Sequence, residues 1–167
     1  TGHTALEFGR LLNCEVIGID INDESIKTAT ERCKRFKLDK VKFQIDDATN
    51  MSFKDGIFDV VFAGNVTSLV NNREAALNEY WRVLKPNGFI SLVKHNRNGR
   101  VMQMAVTLDD FDKANALLDG ENSTASKCGA IRYYEDFQIE EWSSELLIEK
   151  TFGIRTFWDL QQNQEKH

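Results

Sequence analysis

The strongest constraint on the fold is an alternation between continuous apolar segments and segments whose apolar residues recur at helical spacing. Apolar, strand-like runs cover residues 15–20, 41–45, 56–64 and 89–94, and helical patterns cover 4–12, 24–36 and 73–84. Strands that are apolar on both faces and separated by helices are typical of a parallel sheet with helices on both sides. The sequence up to about residue 95 therefore predicts an α/β fold with a mostly parallel sheet.

The pattern changes in the second part of the chain. We expect a helix around 109–119, a polar loop over 120–130, a helix over 134–145 and a strand over 147–157. Neither a repeat nor a change in composition indicates a second domain. We interpret the chain as a single domain over residues 1–167, with an insertion at 97–130.

Composition narrows the partners and the compartment. A net charge of -5 and a pI near 5.3 argue against broad nucleic-acid binding, so we expect no DNA partner. No apolar run reaches the length of a membrane span, and no leader-like segment opens the chain, so we expect no membrane partner. Cys14, Cys33 and Cys128 are far apart and lack metal-ligand spacing. We expect reduced thiols, a cytoplasmic protein and no metal.

Residues that suit a nucleoside follow the predicted strands. Ligands of open α/β sheets bind beyond the carboxyl ends of the strands. Asp20, after the first strand, suits the hydroxyls of a ribose, although an acid that begins a helix is equally typical. Asp47 and Ala48, after the second strand, suit an adenine edge, or they belong to a plain polar loop. Gly2 precedes a helix, where backbone is able to approach a ligand closely.

In their order and spacing these stretches resemble the class I S-adenosylmethionine-dependent methyltransferases. The resemblance rests on "DDATNMSF" (46–53), "FDVVFAGNV" (58–66) and "RVLKPNG" with the strand after it (82–93), and it covers about residues 1–95. It implies a Rossmann-like methyltransferase fold, S-adenosylmethionine as cofactor and S-adenosylhomocysteine as product.

The resemblance also implies a cofactor site. Gly2 corresponds to the last glycine of the family's cofactor loop, Asp20 to the residue that binds the ribose, and Ile21 to a residue that packs on the adenine. Asp47 and Ala48 correspond to the pair that contacts the adenine edge. Asn65 and Val66 correspond to residues that line the pocket after the family's fourth strand, which is the predicted strand 56–64 here. The family's first strand and last antiparallel strand have no counterparts in this sequence, so we expect residues 1–167 to be a truncated methyltransferase domain, with 97–130 as an insertion on the acceptor side. Because most of the glycine loop is absent too, we expect weak cofactor binding by this chain.

Two other interpretations are less consistent with the sequence. Asp20 also suits a nicotinamide cofactor. However, Tyr133 and Tyr134 are followed, four residues on, by Phe137 and Gln138, where a short-chain dehydrogenase needs lysine. "GNVT" stands where amino-group methyltransferases carry N-P-P-[FY], so methylation of an exocyclic amine is disfavoured.

A narrower resemblance concerns the methyl acceptor. "SLVKHNRNGRVMQMAV" and "EKTFGIRTFWDL" are similar to the bacterial tRNA 5-carboxymethoxyuridine methyltransferases, which methylate a carboxyl group on a wobble uridine. The matching positions are Asn96, Gly99, Met102, Arg155, Phe157 and Asp159. Trp158 and Leu160 depart from the residues usual there.

The polar and basic residues after the predicted strand 89–94, which corresponds to the family's fifth strand, suit an anionic acceptor. A carboxylate is already nucleophilic, so the enzyme mainly positions it and excludes water. We predict His95 and Asn96 as catalytic residues, and Asn96, Arg97, Arg100, Arg155 and Trp158 as substrate ligands, beside Lys94. Three alternatives stay open: His95 as a structural hydrogen bonder, solvated arginines, and aromatic side chains that belong to the core.

The predicted function is methyl transfer to an oxygen, with a modified tRNA uridine as one acceptor. The alternatives are a small-molecule O- or C-methyltransferase and a non-catalytic cofactor-binding module.

Overall fold

Two pairs of parallel strands with intervening helices form the main part of the fold, which the computed structural model describes for residues 2–125 and 129–153. The first pair lies within α1 (His3–Leu12), β1 (Val16–Asp20), α2 (Asp23–Phe36) and β2 (Val41–Ile45). The second lies within β3 (Phe58–Gly64), α3 (Val66–Leu69), α4 (Arg73–Val83) and β4 (Leu84–Val93). The predicted α/β class is confirmed.

The helices begin where the sequence supplies capping side chains. Asn22 accepts a hydrogen bond from the backbone N–H of Ser25 at 2.9 Å, and Asn72 accepts one from Ala75 at 3.0 Å. Each satisfies a donor that a helix N-terminus otherwise leaves unpaired. The caps fix the starts of α2 and α4.

Both strand pairs run in regular parallel register toward their carboxyl ends. Asp20 lies opposite Ile45 at the end of the first pair, and Gly64 lies opposite Val93 at the end of the second. The register of β3 and β4 shifts between Phe58 and Val60. Pro86 lies in the opposing stretch of β4 and has no N–H to donate, which accounts for an irregularity there.

One core joins the two pairs, although no strand hydrogen bonds connect them in the described residues. The buried cluster around Leu77 and Tyr80 of α4 includes Ala63 of β3, and Ile19 of β1 packs against it. The rings of Phe8 and Phe62 also meet edge to face, with centroids 5.3 Å apart. Apolar burial of this kind is the main term that holds such layers together.

The predicted insertion contains more regular structure than the sequence indicated. It comprises α5 (Arg97–Met102), a π-helix (Gln103–Thr107), α6 (Phe111–Leu118) and an antiparallel hairpin of β5 (Ser123–Ala125) and β6 (Gly129–Ile131). The expectation of a loop over 120–130 was therefore wrong for residues 123–125 and 129–130, while 126–128 lie outside the described residues. Tertiary contacts fix the hairpin, since the hydroxyls of Ser123 and Tyr133 are 2.7 Å apart.

The end of the described chain also differs from expectation. The last helix, α7 (Asp136–Trp142), is shorter than predicted, and residues 147–153 form no strand. Leu147 and Phe152 are exposed, and no described strand forms backbone hydrogen bonds with this segment. An apolar pattern without a neighbouring strand does not produce a β-strand, which explains the difference. Residues 154–157 of the predicted strand lie outside the described part. None of the described helices is long and apolar enough to cross a membrane.

Candidate functional site

The predicted ribose and adenine residues lie side by side at the carboxyl end of the first strand pair. Asp20 ends β1, and its backbone carbonyl accepts a hydrogen bond from the N–H of Asp46 at 3.2 Å. One carboxylate oxygen of Asp20 accepts from the backbone N–H of Asn22 at 2.9 Å, and the other has no partner in the described chain. The neighbouring Ile21 side chain is 74% exposed. A carboxylate oxygen and an apolar surface are thus both available to a ligand.

Asp46 organises the loop that carries Asp47 and Ala48. Its carboxylate accepts from the hydroxyl of Ser52 at 2.8 Å, from the backbone N–H of Ser52 and Asp47, and from the amide of Gln44. Burial raises the pKa of Asp46, but these hydrogen bonds outweigh burial and lower it. Asp46 was not among the predicted site residues, although its place directly after a strand was a usable signal.

Asp47 and Ala48 are held in a tight turn with groups left for a ligand. One oxygen of Asp47 accepts from both the N–H and the hydroxyl of Thr49, each at 2.8 Å. The second oxygen of Asp47 and the N–H of Ala48 have no partner among residues 2–125 and 129–153. An acceptor beside a donor is the pattern that an adenine edge requires.

Gly2 lies at the start of α1 in a conformation that favours glycine. Its φ is 71°, in the left-handed region. A Cβ at this position would lie 2.6 Å from the Cβ of Ala29 and 2.9 Å from the ring of Phe43. Gly2 therefore lets α1 begin in close contact with α2 and β2.

Asn65 and Val66 lie at the carboxyl end of the second strand pair. Asn65 has φ 65°, which asparagine tolerates better than most residues, and its N–H donates to the carbonyl of Val93 at 2.9 Å. Ala48 and Leu92 pack against the core cluster that contains Ala63. The carboxyl ends of both pairs therefore meet at the same cluster.

The polar residues that follow β4 mostly contact other parts of the protein. Lys94 donates to the carbonyl of Tyr134 at 2.9 Å and pairs with Asp136 at 2.6 Å. Arg97 donates to the carbonyls of Leu117 and Glu121 and lies 4.9 Å from the ring centre of Tyr133. Lys94 thus links the end of β4 to the start of α7, and Arg97 links α5 to the end of α6.

Asn96 and Arg100 also have internal partners. The side chain of Asn96 accepts from the N–H of Gly99 and caps α5, and Arg100 donates to Gln103. These contacts account for part of the hydrogen-bonding capacity after the strand. The substrate roles of Asn96, Arg97 and Arg100 stay predictions, while Arg155 and Trp158, with Phe157 and Asp159, lie outside the described residues.

His95 differs from its neighbours because the structure gives its ring no hydrogen bond in the described part. Burial first, and then the positive charge of Arg100, lower the pKa of His95. The imidazole is consequently neutral near pH 7 and able to accept a proton. No group of acidic, cysteine and histidine side chains suited to a metal ion occurs in the described chain.

Residues 1–152 match the family described as a methyltransferase domain. The chain belongs to this family. It is 35% identical to the sterol 24-C-methyltransferase of Saccharomyces cerevisiae over 88 residues, which are 52% of this chain and 23% of that protein. It is 32% identical to the uncharacterised methyltransferase YcgJ of Bacillus subtilis over 94 residues, 56% of this chain and 37% of that protein. The chain thus spans about a quarter to a third of the length of these relatives.

Solved structures show the same fold. A SAM-dependent methyltransferase of Methanosarcina mazei superposes with a TM-score of 0.58 at 23% identity, over 77% of this chain and 66% of that one. A geranyl diphosphate methyltransferase, solved in complex with SAM, superposes with a TM-score of 0.57 at 14% identity, over 84% of this chain and 52% of that one. The Rossmann-like methyltransferase fold is confirmed, and the family match places the chain among methyltransferase domains.

Proposed function

We propose that this chain is the catalytic domain of an S-adenosylmethionine-dependent methyltransferase that acts on a small molecule. One observation carries the proposal: Asp20 and the Asp47–Ala48 turn are adjacent at the ends of paired strands, tied by the hydrogen bond from Asp46 to the Asp20 carbonyl. This arrangement supports an acid for the ribose hydroxyls beside an acceptor and a donor for the adenine edge.

The site residues fit the cofactor chemically. Asp20 would hold the ribose, the exposed side chain of Ile21 would cover one adenine face, and Asp47 with Ala48 would contact its edge. Gly2, Asn65 and Val66 would line the remaining side. When bound, S-adenosylmethionine would supply a methyl group on a positively charged sulfur, and transfer of that methyl group to the acceptor would release S-adenosylhomocysteine.

The residues of this chain would position the acceptor. They would also remove the proton from the acceptor atom, where that atom carries one. A neutral His95 at the end of β4 suits an oxygen or carbon acceptor that must lose a proton. Asn96 follows it, but its side chain already caps α5, which favours a positioning role. A carboxylate acceptor would need no base.

Several observations favour a small molecule. Relatives of this chain include sterol 24-C-methyltransferases. The net charge is -5, and Lys94, Arg97 and Arg100 are engaged by protein groups rather than displayed as a phosphate-binding surface. A modified tRNA uridine is the second candidate, and it rests on the resemblance of residues 91–106 to enzymes with that substrate. A cofactor-binding module without catalysis is the third.

Incubation with methyl-labelled S-adenosylmethionine separates the candidates. The protein is supplied with a small-metabolite extract in one reaction and bulk tRNA in another. We expect label in small metabolites and none in tRNA. Label in tRNA alone would replace the leading acceptor with the second candidate, and no label in either fraction despite cofactor binding would favour the module without catalysis.

A further inference from the structure

An arginine without a counter-ion lies beside the proposed acceptor side of the site. Arg73 begins α4 and is half-buried, yet it forms no ion pair or hydrogen bond within the described residues, and its Nε is buried without a partner. A guanidinium removed from water needs a partner that returns the lost hydrogen bonds. Nothing in residues 2–125 and 129–153 provides one.

Two aromatic rings fix the orientation of this guanidinium. Its central carbon lies 5.6 Å from the ring centre of Tyr134 and 5.2 Å from that of Trp142. The two rings are themselves 5.6 Å apart and tilted by 57°. Cation–π contacts favour the charge but accept no hydrogen bond from its N–H groups. The donors of Arg73 are therefore held in place and left for another acceptor.

A second arginine adds to the positive charge. Arg132 donates its backbone N–H to the carbonyl of Ser68 at 2.9 Å and its Nη1 to the carbonyl of Leu69 at 3.1 Å. Burial first, and then the charge of Arg132, lower the pKa of Arg73. Arg73 lies over the ring of Tyr134, and Arg132 precedes that tyrosine by two residues. Neither arginine is paired with a carboxylate in the described chain, so their two positive charges create a local field suited to an anion.

The pair is near the proposed reaction centre. Ser68 and Leu69 belong to α3, which begins at Val66 directly after the end of β3. Arg132 therefore contacts α3 within one helical turn of a residue assigned to the cofactor pocket. Arg73 also begins α4, whose N-terminal dipole favours negative charge.

We propose that Arg73 and Arg132 bind the anionic group of the methyl acceptor, a carboxylate or a phosphate. The assignment to the acceptor rests on the proposed function, whereas the anion site itself does not. It differs from the cluster after β4, because Lys94, Arg97 and Arg100 already have hydrogen-bond or ion-pair partners, whereas Arg73 contacts only aromatic rings and has no such partner within the described part of the chain. The acceptor would then be an acidic small molecule.

The test follows the Nε–H signal of Arg73 by NMR on the whole chain. Inorganic phosphate and acetate are titrated separately at constant ionic strength, with chloride as the balancing anion. We expect a saturable shift of this signal with at least one of the two, and the tighter of them identifies the class of anionic group. The absence of a saturable shift with both anions, whether the signal moves linearly or not at all, would overturn the proposal.

Matched variants identify the residues that bind. Because charge-assisted hydrogen bonds are the strong ones, Arg132→Gln should weaken the binding of the preferred anion by about tenfold. Arg73→Lys, followed by calorimetry, should retain part of it. Arg10→Gln removes the same charge from the exposed Arg10–Glu7 pair on α1 and should leave affinity unchanged. Equal affinity in Arg132→Gln and Arg10→Gln would exclude the pair as the site.

Cofactor binding is measured on the same samples through the amide of Asp20. Saturation at Arg73 with no response of Asp20 to S-adenosylhomocysteine would remove the proposed function and leave the anion site standing. The reverse result would remove only the anion site.

Discussion

The guanidinium of Arg82 donates to the carbonyl of Met51 at 3.1 Å, across 31 positions of sequence. Arg82 also donates to the carbonyl of Phe53 at 2.8 Å, and Glu79 accepts the N–H of Met51 at 2.6 Å. The arginine of the "RVLKPNG" stretch thus holds the loop that carries Asp47 and Ala48. This stretch therefore contributes to the proposed adenine site indirectly.

Arg82→Gln should therefore destabilise the protein and loosen this loop. Loss of charge-assisted hydrogen bonds to Glu79 and to two carbonyls is expected to cost about 2 kcal/mol, or several degrees in Tm. Thermal unfolding followed by circular dichroism measures the change. Lys85→Gln, which breaks the exposed Lys85–Asp59 pair, is the control and should cost much less. Similar losses in the two variants would contradict the role of Arg82.

Asp20→Asn should weaken cofactor binding with little effect on folding. The amide keeps the shape of the side chain and an oxygen for the N–H of Asn22, but it loses the charge that would hold two ribose hydroxyls. We expect the Kd for S-adenosylhomocysteine to rise by about tenfold in calorimetry. Asp59→Asn, on the exposed side of β3, should bind like the wild type. An unchanged Kd in Asp20→Asn would remove Asp20 from the site.

The lowered pKa of His95 predicts that the stability of the protein depends on pH. Its pKa is lowered in the folded protein, so the unfolded chain binds the proton more readily. Stability should therefore be complete above the unfolded value of about 6.5 and fall as the pH drops below it. Urea unfolding at pH 7.5 and 5.5 measures this difference, which should shrink in His95→Gln. His3→Gln should retain the His95 contribution, and an undiminished difference in His95→Gln would refute the prediction.

Gly2→Ala should be more disruptive than Gly120→Ala. Both glycines have positive φ, 71° and 99°, so alanine is strained at either position. Only at Gly2 would the added Cβ meet neighbours, at 2.6 Å and 2.9 Å, whereas nothing lies within 4 Å at Gly120. The extra loss at Gly2 is expected to be about 1–3 kcal/mol in urea unfolding. Equal losses would show that α1 has room to move.

The sequence predicted the parts of the fold in which local pattern and burial agree. The four parallel strands and the helices between them were recognisable because their apolar residues follow a single period over each element. The 123–131 hairpin was not, since its small polar residues resemble a loop and depend on contacts such as Ser123–Tyr133. The strand expected at 147–157 failed over residues 147–153 because β propensity alone supplies no neighbouring strand.

Some residues of the candidate site could likewise be predicted from the sequence, and others could not. Asp20, Asp47 and Ala48 were identifiable as candidates because they lie at or shortly after the carboxyl end of a strand. Arg73, Arg132 and Trp142 were not, since they are distant in sequence and only the packing of α4, β6 and α7 brings them together. The charge run after β4 was noticed, but sequence alone did not reveal that Arg97 contacts the carbonyl of Leu117.

The most direct test of the central claim is an NMR titration of the chain with S-adenosylhomocysteine, which maps a site even where binding is weak. We predict that the largest amide shifts occur at the proposed cofactor residues, namely Gly2, Asp20, Ile21, Asp47, Ala48, Asn65 and Val66. Adenosine alone should shift the Asp20 and Ala48 signals and leave Val66 less affected. Shifts centred elsewhere, or no saturable shift at Asp20 and Ala48, would contradict the assignment of the cofactor site.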